Sequence, residues 1–78
     1  MKKTETKNKI RRLRFDRDEM AQQALANGAV VTRQTIFAIE AGKYAPSLAL
    51  AFRIARFFGA GVEDVFEYDR ATAPEQAD

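Results

Sequence analysis

Val31-Thr32-Arg33-Gln34-Thr35-Ile36-Phe37-Ala38-Ile39-Glu40-Ala41-Gly42-Lys43-Tyr44 is the run that decides how the rest of this 78-residue chain is read. Ile36 and Ile39 recur at helical spacing, so the stretch reads as a helix from Arg33 to about Ala41 with one face against a core. Thr32 is its natural start, because a threonine hydroxyl accepts one of the backbone N–H groups that a first turn leaves unpaired. Gly42 is its natural stop, since glycine takes up the left-handed conformation that a side chain resists. Arg33 and Gln34 fall in the first turn, on the side away from Ile36 and Ile39. By themselves they read either as an ordinary solvated helix start or as hydrogen-bonding groups held out towards a partner.

Working towards the N-terminus, a second helix is expected from about Ala21 to Ala26, burying Met20, Ala24 and Leu25. The link Asn27-Gly28-Ala29-Val30-Val31 admits two geometries. Gly28 is a natural left-handed helix end and Asn27 disfavours continuation, so the favoured reading ends the helix at Gly28 and gives a longer turn. The other runs the helix on to Ala29 and forces Val30 to positive φ, which a β-branched residue resists. A further helix is expected from about Asn8 to Arg17, with Ile10 and Leu13 as its apolar stripe.

Towards the C-terminus, Lys43-Tyr44-Ala45-Pro46 reads as a loop. A helix follows over about Ser47 to Phe58, stopped by Gly59, and a short one over Val62 to Val65. Phe66-Glu67-Tyr68 then alternates like a brief strand able to pair with the Thr4–Asn8 segment. The expectation is an all-α, five-helix domain over residues 8–69, with a short terminal β pairing. Residues 1–7 form a basic arm and residues 70–78 a flexible tail of small and polar residues.

The helix at 47–58 is apolar on more than one side. Leu48, Ala51, Phe52, Ala55 and Phe58 form one stripe, taken to face the first three helices. Leu50, Ile54 and Phe57 form another. A helix apolar on two faces is covered from two sides. In so small a domain a second copy of the chain is the expected cover, with Leu50, Ile54, Phe57, Phe66 and Tyr68 at the interface of a homodimer; the alternative is that the N- and C-terminal segments of the same chain cover it.

The ordered string Arg11-Arg12-Leu13-Arg14, Gln22-Gln23-Ala24-Leu25-Ala26, Val31 through Tyr44, Pro46-Ser47-Leu48, Ile54-Ala55, Phe58-Gly59 and Glu63-Asp64-Val65-Phe66 resembles the lambda repressor/Cro-like helix-turn-helix family, in particular its short stand-alone bacterial regulators. The likeness covers about residues 9–69 and is densest from Thr32 to Gly59. It implies double-stranded DNA as the partner and a transcriptional regulator, a repressor, as the function. Base reading is carried over to Arg33, Gln34, Phe37 and Ala38. Phosphate contacts are carried over to Gln22, Thr32, Thr35, Lys43 and Tyr44, with Arg14 and Arg17 as weaker candidates. Phe37 has two readings: it touches thymine methyls or sugar edges, or it folds back against Tyr44 or a neighbouring helix. Glu40 matches a structural position, paired with an arginine of the first helix. Ala21, Val30 and Gly61 depart from the family pattern: Ala21 and Gly61 stand where caps are usual, and Val30 where the turn usually has glycine.

Charge distribution agrees with a polyanionic partner at one end. Residues 1–17 hold eight Lys/Arg against Glu5 and Asp16, whereas residues 61–78 hold Arg70 against six acids. There is no Cys and no His, so no Cys/His metal site, no cofactor and no catalytic chemistry are expected. No apolar run reaches the roughly 20 residues that a membrane span needs, and a cytoplasmic location is expected. The alternative function is an antitoxin, or another protein-interaction module of the same fold, with a toxin as partner.

Overall fold

A computed structural model of the chain describes residues 6–68. In chain order these form β1 (Thr6–Asn8), α1 (Ile10–Phe15), α2 (Gln22–Ala29), α3 (Arg33–Glu40), α4 (Leu48–Phe57), α5 (Val62–Val65) and β2 (Phe66–Tyr68). The five helices give the expected all-α architecture. The two strands pair antiparallel, with Thr6 opposite Tyr68 and Asn8 opposite Phe66. Thr6 and Lys7, read from sequence as the end of a basic arm, therefore belong to a sheet that ties the two ends of the domain together. The rest of that arm (residues 1–5) and the tail (70–78) lie outside the described residues.

Every helix contributes to one core. Ile10, Leu25, Ile36, Ile39, Ile54 and Val65 are its largest fully buried side chains. α2 packs on both α3 and α4, and α5 closes against α4. Thr32 caps α3 by accepting the Thr35 N–H at 3.2 Å, and Ser47 caps α4 by accepting the Leu50 N–H at 3.1 Å. Gly42 (φ +76°) and Gly59 (φ +67°) follow α3 and α4 in the left-handed conformation.

The end of α2 departs from the favoured expectation. The helix runs through Gly28 to Ala29, and Val30 takes φ +61°, ψ +50°. The N–H of Val31 bonds back to the Ala26 carbonyl at 3.0 Å, as the Lys43 N–H does to Ala38 after α3. The reason is tertiary. The ring of Phe57 occupies the space a Cβ on Gly28 would need, so this glycine admits α4 rather than ending α2. Arg53 Nε–H also donates to the Ala29 carbonyl at 2.9 Å, holding the helix end in place. A left-handed β-branched residue costs about 1–2 kcal/mol, and the Val30 side chain, 76% exposed, recovers little of it by burial.

α4 supplies a second correction. Leu50 and Ile54, expected at a dimer interface, are core residues of a single chain, with 4% and 0% exposure. Both α2 and α5 dock on α4. The buried arc is therefore wide, about 140° at 100° per residue, and takes Leu50 and Ile54 together with Ala51, Ala55 and Phe58. Leu48 and Phe52, assigned from sequence to the inner stripe, are instead 71% and 50% exposed. Phe57 and Phe66 are half-buried against the core, and Tyr68 is exposed.

Candidate nucleic-acid interface

α3 presents two unlike sides because Ile36 and Ile39 pull one of them into the core. On the other, Thr32, Arg33, Gln34 and Phe37 are exposed and Ala38 is half-buried. Among the described residues neither the Arg33 nor the Gln34 side chain has a hydrogen-bond or ion-pair partner. Thr35 is half-buried, and its hydroxyl lies 3.0 Å from that of Thr32. Since Thr32 takes up the Thr35 N–H, the N–H groups of Arg33 and Gln34 remain as the donors of the helix start, where the dipole favours an anion. Lys43 and Tyr44 are exposed just beyond the other end of α3. Phe37 is 56% exposed.

Behind this face lies a polar cluster that fixes α3 against α1. Arg14 donates to both Glu40 oxygens, Nε to Oε2 at 2.7 Å and Nη2 to Oε1 at 3.0 Å, and its Nη1 donates to the Met20 carbonyl at 2.6 Å. Gln22 Nε2 donates to Glu40 Oε1 at 3.2 Å. The Arg14 and Glu40 side chains are only 15% and 9% exposed. Glu40 thus pairs with an arginine of the first helix, as expected. Arg14, a weak phosphate candidate from sequence, is wholly engaged within the fold. Arg17 is likewise engaged: Nη2 donates to the Phe58 carbonyl at 2.6 Å, and the guanidinium lies 5.5 Å from the Phe58 ring centre. Gln22 opens α2, behind an Ala21 that offers no side-chain cap, but its amide turns towards Glu40.

Three of these ties had no signal in the sequence. Asn8 Nδ2 donates to the Ile39 carbonyl at 2.8 Å, and Arg17 and Arg53 reach the carbonyls of Phe58 and Ala29. An arginine near the end of another helix satisfies carbonyls that the helix cannot, but only the tertiary arrangement reveals which end it meets.

Between α2 and α3 only Val30, Val31 and Thr32 intervene, so the pair is two helices joined by a three-residue turn, with the second exposing its polar first turn. A profile of the helix-turn-helix family matches residues 10–65, which includes all five helices. The chain belongs to the lambda repressor/Cro-like helix-turn-helix family. Among its relatives is an uncharacterised HTH-type transcriptional regulator of Methanocaldococcus jannaschii, 52% identical over 63 residues, covering 81% of this chain and 94% of that protein. YgzD of Bacillus subtilis, also an uncharacterised HTH-type transcriptional regulator, is 48% identical over 60 residues, 77% of this chain and 89% of its own. The cryptic phage CTXphi transcriptional repressor RstR of Vibrio cholerae is 36% identical over 58 residues, 74% of this chain and 51% of its own. This helix-turn-helix protein is accordingly a transcriptional regulator with a DNA-binding domain. Among the described residues no helix is long and apolar enough to cross a membrane.

Proposed function

We propose that the protein represses transcription by occupying a palindromic or near-palindromic operator as a homodimer, reading bases with Arg33 and Gln34. The observation that carries this reading is a pair of hydrogen-bonding side chains, without partners among the described residues, on the exposed first turn of a helix anchored by Ile36 and Ile39. Arginine meets guanine and glutamine meets adenine through paired hydrogen bonds. Ala38, one turn further along, offers apolar contact to a thymine methyl. Thr32, Thr35, Lys43, Tyr44 and the start of α2 at Gln22 hold phosphates, which positions the domain without reading sequence. The relative named as a phage repressor supports repression as the outcome, and such a role belongs in the cytoplasm.

A single α3 with two main readers specifies few base pairs, whereas a two-fold pair doubles the site at one helical turn's spacing. Leu48 and Phe52, one turn apart on α4 and both largely exposed, are the apolar contact proposed between copies, because monomers rarely leave adjacent large apolar groups in water. Phe57 lies on the other side of α4, against Gly28, and is not part of this contact. Sedimentation at micromolar concentration, with gel shifts at two salt concentrations, tests it. The unmodified chain should sediment as a dimer and Phe52→Glu as a folded monomer with much weaker operator binding. An unmodified chain that runs as a clean 8.8 kDa monomer, with Phe52→Glu binding DNA normally, contradicts the dimer. A chain that shifts no DNA at either salt turns the reading towards an antitoxin-like interaction module.

A further inference from the structure

Arg11, Arg14, Gln22, Phe37, Glu40 and Ala41 line an open crevice of about 390 Å³ where α1, the start of α2 and the outer side of α3 meet. Its one carboxylate, Glu40, is already occupied by Arg14 and Gln22. Arg11 is left over. It is exposed, and among the described residues it has neither a hydrogen bond nor an ion pair. With Arg14 and Glu40 cancelling, the crevice carries one uncompensated positive charge beside the exposed ring of Phe37. It also borders the first turn of α2, whose N–H groups have no side-chain cap.

We propose that Arg11 is a DNA-backbone contact: its guanidinium meets a phosphate flanking the bases read by α3, and Phe37 packs against the attached deoxyribose. The proposal rests on the operator-binding reading above and extends the interface from the helix-turn-helix onto α1. A guanidinium suits this place because its planar fork can donate two hydrogen bonds to one phosphate. A partner-free arginine loses no protein contact on turning to it. Neighbouring Arg12 is different. It too is exposed, but it lies 3.6 Å from Asp16 and outside the crevice, which makes it the matched control.

The test uses the full chain and two duplexes of equal length, one selected from a random pool by the unmodified protein and one of random sequence. Affinity is followed by anisotropy as salt is raised. Arg11→Ala should weaken both duplexes alike and lower the salt slope by about 0.9, the release expected from one phosphate. At about 0.15 M salt that slope corresponds to roughly a fivefold loss. Arg12→Ala should leave the slope unchanged, Arg11→Lys should restore it, and thermal unfolding of Arg11→Ala should match the unmodified chain. A normal slope and affinity in Arg11→Ala overturns this contact alone. Equal losses in Arg11→Ala and Arg12→Ala overturn it in favour of a diffuse charge effect. An unmodified chain with no preference between the duplexes overturns the operator reading, and this contact with it.

Discussion

Near its C-terminal end α3 meets α1 through Glu40, whose two oxygens both take hydrogen bonds from Arg14; in its first turn the Arg33 side chain meets no partner among the described residues. The two arginines carry the same charge and are put to opposite uses. A charge that is nearly buried must be paired within the fold, because leaving it alone costs far more than the pair contributes. A base reader must instead reach the free state unpaired, so that no protein bond has to break when DNA arrives. Arg17 and Arg53 stand with Arg14, each donating to a carbonyl at the end of another helix. Arg11 and Arg56 stand with Arg33, exposed and without partners among the described residues. Net charge alone does not tell which arginines are available to a polyanion.

The comparison breaks most visibly at Arg14. Arg14→Ala leaves the Glu40 carboxylate, 9% exposed, without its counter-charge, and should lower unfolding free energy by about 3 kcal/mol. Arg17→Ala removes one charge-assisted bond to a carbonyl and should cost about 1–2 kcal/mol. Both are measured by urea unfolding. Assayed at a temperature where each variant stays folded, neither should change the salt slope of DNA binding. If Arg14→Ala were as stable as the unmodified chain but had a shallower slope, Arg14 would move from the scaffold to the interface.

A smaller effect of opposite sign is expected where backbone conformation, rather than charge, is unsatisfied. Val30→Gly should relieve the left-handed strain at little loss of buried surface and raise stability by about 1 kcal/mol. For a domain of this size that raises Tm by roughly 4–8 °C. Because Val30→Gly changes no charge, the slope and site preference should stay as they are. A lowered Tm would show that the turn is not built as described.

What was legible in the sequence follows the same division between local and long-range causes. The bounds of α3, its Thr32 cap and its Gly42 end rest on neighbours in the chain, and Val62–Val65 likewise needed only local pattern. The end of α2 did not, because Gly28 has two opposite meanings, a stop or a gap for a neighbour, and Phe57 from α4 decides between them. The burial of Leu50 and Ile54 in place of Leu48 and Phe52 has a similar origin. α4 carries apolar residues on two overlapping stripes, and only the docking of α2 and α5 selects the arc. The candidate readers Arg33 and Gln34 could be named from the helix pattern and the family resemblance together. Which arginines would be held by Glu40, Phe58 or Ala29 was written only in the fold.

The central claim is that Arg33 and Gln34 on the exposed first turn of α3 read DNA sequence, and selection of bound duplexes from a random pool tests it most directly. The unmodified chain should yield a single two-fold-related motif. Arg33→Ala and Gln34→Ala should each relax one base-pair position per half-site and weaken the best site by about 1–3 kcal/mol, with unfolding unchanged. Variants that return the unmodified motif at full strength would contradict the claim.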